Sequence, residues 1–384
     1  MANVQNSALA RVAGSVDDKL HAKLSEVNWD FSGRRRASPI EKLHPYPAKF
    51  IPEIPGALLD CLSIAQGGLV LDPFCGSGTT LVEAQIRGID AIGVDLNPIA
   101  CLISRVRTAA TPIHPIEIAS EVVERAKRMG YAPIPDIPNL DHWFTEPAQD
   151  AVARLVAAIA RAPVAARDFL ELVLSSVLVR VSNQDSDTRY AAVEKDISEA
   201  LVYTAFSNAA ERIAKALAQR ALVGEVDVIS HDTLTLDPAR FPRKVDAVIT
   251  SPPYPNAYEY WLYHKYRMWW LGHDPIAIKE HEIGARAHFF GGKKHDATSF
   301  IFQMKKLFNM LDKVLADDGF ICFVVGRSKI HGEIIDNAAI IRAAGKAIGM
   351  RERFSTERVI SATRKSFNLS HANIKTETVL VLSR

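Results

Sequence analysis

The sequence predicts an α/β protein with a doubly wound, mostly parallel sheet, and three observations support this class. From Gly68 onward, an apolar run, a glycine turn, a helical pattern and a second apolar run follow one another, as GLVLDPF, CGSGTT, LVEAQIRG and DAIGVDL. Strand-like runs resume after residue 224, at EVDVIS, DAVITSPPY, GFICFVVG and ETVLVLSR. Between these parts, residues 111–224 carry apolar residues at helical spacing, which predicts a helical insertion. Strands separated by helices are typical of parallel sheets.

Length and composition are those of one large folded domain with an insertion. The chain has 384 residues, of which 48% are hydrophobic and 23% charged, so it can bury a sizeable core. We divide it into an N-terminal arm (1–40), a first half of the sheet domain (41–110), the insertion (111–224) and a second half (225–384). The arm is polar and carries three arginines at 34–36. We expect it to be loosely ordered, either as a solvated tail or as a segment that contacts phosphates.

Membrane, secreted and zinc-binding classes are disfavoured. No apolar run approaches the roughly 20 residues that a membrane span needs, and the N-terminus lacks the apolar core of a signal peptide. A cytoplasmic protein is therefore expected. The four cysteines show no C-x-x-C spacing, so neither a disulfide framework nor a zinc site is predicted. The formal net charge of +2 neither indicates nor excludes a nucleic-acid partner.

A glycine-bearing loop follows the first predicted strand. The segment DPFCGSGTT (Asp72 to Thr80) lies at the carboxyl end of that strand and opens a helix, which is where open α/β sheets bind ligands. Gly76 and Gly78 allow the backbone to turn sharply and to approach a ligand. Asp95 ends the next strand, and a carboxylate there suits the two hydroxyls of a ribose. The loop departs from G-x-G-x-x-G, the pattern of the competing dinucleotide-binding domains.

A double-proline turn follows the strand DAVIT. In TSPPY (Thr250 to Tyr254), Pro252 and Pro253 have no N–H, so their carbonyl groups are left as acceptors. Such acceptors suit an amino group. Ser251 and the carbonyl of Pro252 are therefore candidates to hold an amine.

Together the two motifs resemble those of the amino-group DNA methyltransferases. In that family the cofactor loop has the form D-P-F-x-G-S-G-T, and the turn is Asp, Asn or Ser followed by P-P-Y. The resemblance covers roughly residues 42–110 and 225–384. It implies a Rossmann-like, seven-stranded sheet with a helical insertion, S-adenosylmethionine as cofactor, and DNA, expected to be double-stranded, as partner.

The resemblance also assigns cofactor residues. The loop wraps the methionine and ribose parts through Asp72, Pro73, Phe74, Cys75, Gly76, Ser77, Gly78 and Thr79, and Asp95 holds the ribose. Asp232, after EVDVIS, either bonds the adenine amine or is a simple turn residue. The proline-rich segment HPYPAKFIPEIP supplies Tyr46, Lys49 and Phe50, either to close over the methionine end or as a rigid loop without a ligand role.

The serine form of the turn is associated in this family with the N4 amine of cytosine. We therefore expect Ser251, Pro252, Pro253 and Tyr254 to serve direct methyl transfer to that amine, which needs no metal ion. Ser251 and the carbonyl of Pro252 would hold the amine, and Tyr254 would stack on a base rotated out of the helix. Adenine N6 and a structured RNA are the alternatives within this chemistry, and a non-catalytic nucleic-acid-binding subunit is the alternative outside it. Methylation of cytosine C5 is disfavoured because it uses a Pro-Cys pair, which the chain lacks. A cognate restriction or defence protein is a candidate partner.

Candidate substrate contacts lie in three segments. Arg364, Lys365 and Asn368 precede the last strand and are expected to border the target-base pocket. The polar loop SNQDSDTRY, with Arg180 before it and Arg189 within it, is either a target-recognition region or a structural cover. Residues 256–272 interleave aromatic and basic side chains, which fits either a nucleic-acid surface or a core helix.

Overall fold

The computed structural model describes residues 18–34, 37–47, 50–187, 189–255, 259–289, 295–360 and 375–384. The strands in these residues are β1 (Leu69–Asp72), β2 (Asp90–Asp95), β3 (Gln184–Ser186), β4 (Arg189–Ala192), β5 (Val226–Ser230), β6 (Val245–Thr250), β7 (Leu315–Gly326), β8 (Ser328–Ile330), β9 (Glu333–Ile335), β10 (Arg351–Val359) and β11 (Thr376–Ser383). Seven of them form one sheet in the order β10-β11-β7-β6-β1-β2-β5.

This sheet is mostly parallel and is covered on both faces. Strands β7, β6, β1, β2 and β5 run parallel, whereas β11 and β10 join the β7 edge antiparallel. Along β1, Leu69 and Leu71 pack in one hydrophobic cluster with Met304, and Val70 packs in a second cluster with Leu58. Alternate side chains of a strand point to opposite faces, so helices lie on both sides. The predicted doubly wound, seven-stranded α/β class is confirmed.

The helices connect the strands and fill the region between β2 and β5. Their bounds in the described residues are Glu53–Leu62, Thr79–Ile86, Pro98–Thr108, Pro115–Arg128, Leu140–Trp143, Glu146–Ile159, Val164–Val177, Glu199–Leu217, Tyr260–Trp270, Pro275–His281, Ala297–Val314 and Asn337–Ala347. Residues 18–26 are also helical. Within this described part of the chain, no helix has both the length and the apolar character needed to cross a membrane.

The aromatic helix Tyr260–Trp270 belongs to a core. It packs with the helices of residues 115–217 in a third hydrophobic cluster, to which it contributes Tyr266, Met268 and Trp270. Arg267 on the same helix is also buried. Of the two interpretations of this segment, the core helix is therefore the one observed for these side chains.

Several strands were not identified from the sequence, among them β10 and the β3–β4 and β8–β9 hairpins. Strand β10, RERFSTERV, has no apolar run because it is an edge strand with most of its side chains at least partly exposed. The polar loop that contains Arg189 folds back on itself as the β3–β4 hairpin. The turn signal of this hairpin is weak, since DSDT contains no glycine.

The N-terminal segment also differs from expectation, because residues 18–34 are packed and not a loose arm. Leu24 is 0% and Trp29 is 5% exposed, and both lie in the cluster that covers one sheet face. The indole Nε1 of Trp29 donates a hydrogen bond of 2.9 Å to the carbonyl of Leu24. Arg34 forms ion pairs with Glu41 and Glu53, so it is not available to phosphates. Residues 35–36 lie outside the described residues.

Candidate active site

Two loops leave the same edge of the sheet and face one cleft. Because β1 and β6 are parallel neighbours, their carboxyl ends, Asp72 and Thr250, lie side by side. The Thr250 hydroxyl donates a hydrogen bond of 2.6 Å to the Asp72 carboxylate. The cleft encloses about 870 Å³, part of it open to solvent. Its described lining includes these residues predicted from the sequence: Tyr46, Phe50, Asp72, Phe74, Cys75, Gly76, Ser77, Thr79, Asp95, Asp232, Ser251 and Pro253.

The glycine loop is shaped by backbone geometry. Gly76 and Gly78 have φ angles of +50° and +77°, a region that favours glycine. A Cβ at Gly78 would lie 2.7 Å from the Ser104 hydroxyl, and one at Gly76 would lie 3.3 Å from the Tyr46 ring. The loop therefore passes close beneath Tyr46. Pro73 and Gly78 are buried behind the cleft and are not among its described lining residues.

Asp95 connects the ends of β1 and β2. Its carboxylate accepts hydrogen bonds of 2.8 Å from the backbone N–H of Gly76 and of Asn97. Burial raises the pKa of Asp95 to about 6, against the effect of these two bonds. Burial likewise raises the pKa of Asp72 to about 6, although Thr250 donates to it. The cleft is thus lined by carboxylates held in a poorly solvated place.

The double-proline turn presents only part of itself to the cleft. Ser251 and Pro253 line it, whereas Pro252 and Tyr254 are buried behind them. The ring of Tyr254 is 8% exposed. Its hydroxyl lies 3.3 Å from the Val324 carbonyl and 3.2 Å from Glu377 Oε1. In this structure the ring of Tyr254 packs inward, because two acceptors on β7 and β11 hold its hydroxyl. Stacking of this ring on an extruded base stays a prediction.

Comparison with known proteins shows that parts of the chain are similar to DNA methyltransferases. Residues 10–105 match the family model described as DNA methylase. The chain is 38% identical to the Type II methyltransferase M.MjaII of Methanocaldococcus jannaschii over 24% of this chain and 17% of the relative. It is 28% identical to M.MvaI of Kocuria varians over 34% and 32%, and 23% identical to M.BsoBI of Geobacillus stearothermophilus over 61% and 53%. These matches support an amino-group DNA methyltransferase family. The alignments span about half or less of the length of these Type II methyltransferases.

S-adenosylmethionine is the methyl donor that this methyltransferase family implies, and the cleft residues fit it. The cofactor carries a sulfonium and an ammonium group. The described lining offers four acidic side chains, Asp72, Asp95, Asp232 and Glu282, and neither lysine nor arginine. Tyr46 and Tyr260 stack at a ring distance of 5.8 Å on the same lining. Carboxylates and aromatic faces both favour a cation. Asp95 would hold the ribose, and the loop around Gly76 would hold the methionine part.

Asp232 has the features of both of its predicted alternatives. Its side chain accepts a hydrogen bond of 2.9 Å from the backbone N–H of Leu234 and so caps the short turn Thr233–Thr235. The same residue lines the cleft. The neighbouring Thr233 hydroxyl donates to the carbonyl of Pro73 at 2.5 Å, which attaches this turn to the glycine loop.

The remaining predicted residues fall elsewhere. Lys49, Arg364, Lys365 and Asn368 lie outside the described residues. Arg180 is exposed and is not among the described residues that line the cleft. Arg189 begins strand β4 of the small hairpin in the insertion.

Sequence reasoning missed one wall of the cleft. Tyr260, Ile278, His281, Glu282 and Ile283 line it, and they follow the double-proline turn in the chain. Glu282 accepts hydrogen bonds of 2.9 Å and 2.7 Å from the backbone N–H groups of Tyr260 and Trp261. Burial raises its pKa to about 8. No motif marks Glu282, because it reaches the cleft through tertiary packing alone.

Proposed function

We propose that this chain is an S-adenosylmethionine-dependent DNA methyltransferase that acts on an exocyclic amine of a base, the N4 amine of cytosine. One observation supports this most directly. The glycine loop at Gly76 and the double-proline turn at Ser251 line a single cleft. A hydrogen bond between Thr250 and Asp72 connects the strand ends from which the two loops start. A donor on one loop and an amine on the other would thus be held together, and proximity of this kind lowers the barrier of a two-substrate reaction.

In this proposal, different residues bind the cofactor, bind the amine and shield the cleft from water. When bound, the cofactor supplies the methyl group in electrophilic form. Asp95 binds its ribose, and the loop at Gly76 binds its methionine part. Ser251 and the carbonyl groups of the double-proline turn accept hydrogen bonds from the amine and direct its lone pair across the cleft. The stacked rings of Tyr46 and Tyr260 form one side of the cleft and limit the access of water.

A base in a duplex has to leave the helix to reach Ser251. Ser251 lies in a recessed cleft and not on a protruding surface. Rotating a base out of the stack costs a few kcal/mol, and enzymes that act on duplex bases recover this cost in the pocket. We therefore propose base extrusion, with cytosine N4 as the target because the turn carries serine in its first position.

The test is product identification. The protein is incubated with methyl-labelled S-adenosylmethionine and unmethylated DNA, the DNA is digested to nucleosides, and the label is located by mass spectrometry. We expect N4-methylcytosine, formed at least about tenfold more slowly with Ser251→Ala. Label in N6-methyladenine would contradict the choice of base and leave the class intact. Label only in RNA offered in parallel would contradict the DNA substrate. A folded protein with no cofactor binding detectable by calorimetry would favour the non-catalytic subunit.

A further inference from the structure

A chain of hydrogen bonds runs from the double-proline turn to the antiparallel edge of the sheet. The Ser251 hydroxyl lies 3.4 Å from the Tyr254 hydroxyl. The Tyr254 hydroxyl lies 3.2 Å from Glu377 Oε1, and the other carboxylate oxygen of Glu377 pairs with Arg358. Arg358 is 4% exposed and also donates 2.9 Å to the carbonyl of Trp29.

The chemistry of these groups fixes the direction of the hydrogen bonds. A carboxylate and a carbonyl only accept, so the single proton of Tyr254 is directed toward Glu377 and Val324. Burial, and next the charge of Glu377, raise the pKa of Tyr254 well above its usual range, so this proton is retained. The Tyr254 oxygen is then the acceptor and Ser251 the donor between them. As a result, the lone pairs of Ser251 remain available to the cleft.

We propose that Glu377 is a positioning residue that orients the hydroxyls of Tyr254 and Ser251 so that Ser251 accepts a hydrogen bond from the target amine. Arg358 holds Glu377 in place. The inference rests on the proposed function, and it assigns the hydroxyl of Tyr254 a role of its own. By this proposal the antiparallel edge of the sheet contributes to the reaction, because Glu377 lies on β11 and Arg358 on β10.

Three variants test this relay. Tyr254→Phe keeps the ring and removes the hydroxyl. Glu377→Gln keeps the shape and replaces an obligate acceptor by a group that can also donate. Glu357→Gln is the matched control. Glu357 is on strand β10 beside Arg358, and its ion pair within the described residues is an exposed one with Arg327, at 3.2 Å. Methyl transfer to unmethylated DNA is measured in single turnovers, together with the Kd of S-adenosylmethionine.

We expect Tyr254→Phe and Glu377→Gln each to slow transfer about tenfold, the loss of roughly one hydrogen bond, with little change in cofactor Kd. A fourth protein that combines Tyr254→Phe with Glu377→Gln should be slowed by no more than about tenfold, because both changes break one relay. Glu357→Gln should match the wild type. Unchanged transfer in Tyr254→Phe, or losses that multiply in the double variant, would overturn the relay.

A second readout does not depend on turnover. Amide hydrogen exchange at Ser251 and Tyr254 is measured in the wild type, Glu377→Gln and Glu357→Gln without DNA. Faster exchange only in Glu377→Gln supports the relay, and identical exchange in all three contradicts it. If the wild type transfers no methyl group to DNA, the proposed function fails on its own, while this measurement still decides whether Glu377 positions the turn.

Discussion

At the scale of single residues, different side chains are proposed to bind the methyl donor and the amine that accepts the methyl group. Asp95 accepts from the glycine loop and faces the cleft, and Ser251 lies across from it on the other loop. These two residues are attached to different strands. Their contributions to binding and to turnover should therefore be separable by substitution.

Ser251→Ala is expected to lower kcat by at least about tenfold and to leave the Kd of S-adenosylmethionine nearly unchanged, because the lost acceptor contacts the amine. Asp95→Ala should do the reverse and weaken cofactor binding first. Calorimetry gives the Kd, and transfer of labelled methyl groups gives the rate. Equal loss of cofactor affinity in both variants would show that the two half-sites are misassigned.

Cofactor affinity should fall as the pH falls through about 6. Burial raises the pKa of Asp95 to about 6. Below that pH the group binds a proton, and a carboxylic acid accepts hydrogen bonds from hydroxyls more weakly than a carboxylate does. The cofactor should therefore bind more tightly at about pH 7.5 than at about pH 5. Calorimetric titrations across this range check it, with Asp95→Asn as the control. If Asp95→Asn shows the same pH dependence, another group is responsible, and Asp72, with a pKa also raised to about 6, is the first candidate.

At the scale of elements, the glycine loop depends on a close approach to the helix Pro98–Thr108. The Ser104 hydroxyl on that helix donates 2.8 Å to the carbonyl of Gly76 and leaves no room for a side chain at Gly78. Arg107, one turn further, is buried and donates to the carbonyl of Ser77. Helix and loop thus pack as one unit.

Gly78→Ala and Gly272→Ala form a matched pair that tests this contact. Both residues have nearly the same φ, +77° and +78°, but nothing lies within 4 Å of a Cβ at Gly272. Each alanine should cost about 1–2 kcal/mol for its left-handed backbone. Gly78→Ala should cost more and should alone weaken cofactor binding. Urea unfolding and calorimetry measure the two effects, and equal losses with unchanged affinity would contradict the contact.

The parts that sequence reasoning identified are those where local chemistry and tertiary role coincide. The glycine loop and the double-proline turn could be predicted because their backbone conformations depend on residue type. The loop requires glycine at positions 76 and 78, and the turn is stiffened by Pro252 and Pro253. Strand β10 was missed because an edge strand needs no apolar alternation. The inward orientation of Tyr254 was missed because it depends on Glu377, 123 positions away. Long-range partners of this kind leave no local pattern.

At the scale of the whole molecule, the N-terminal segment packs against the antiparallel edge of the sheet. Trp29 packs against Phe354 of β10, with ring centroids 6.0 Å apart, and its carbonyl receives Arg358. The segment therefore supports the same edge of the sheet that reaches Tyr254. The family model match also begins before this segment, at residue 10.

Trp29→Ala should destabilise the protein by about 3–5 kcal/mol, because it removes a large buried side chain. Tyr131→Ala is the control, since Tyr131 is 80% exposed, and it should change stability by less than about 0.5 kcal/mol. The free energies of unfolding come from urea titrations. Equal stabilities for the two variants would restore the interpretation of residues 18–34 as a loose arm.

The central claim is that one cleft holds the methyl donor on the glycine loop with its reactive end toward the double-proline turn. A crystal structure with bound S-adenosylhomocysteine tests it most directly. We predict the ribose hydroxyls on Asp95 and the sulfur atom on the side of the cleft that Ser251 and Pro253 line. A ligand bound away from Asp95, or with its sulfur directed away from Ser251, would contradict the account.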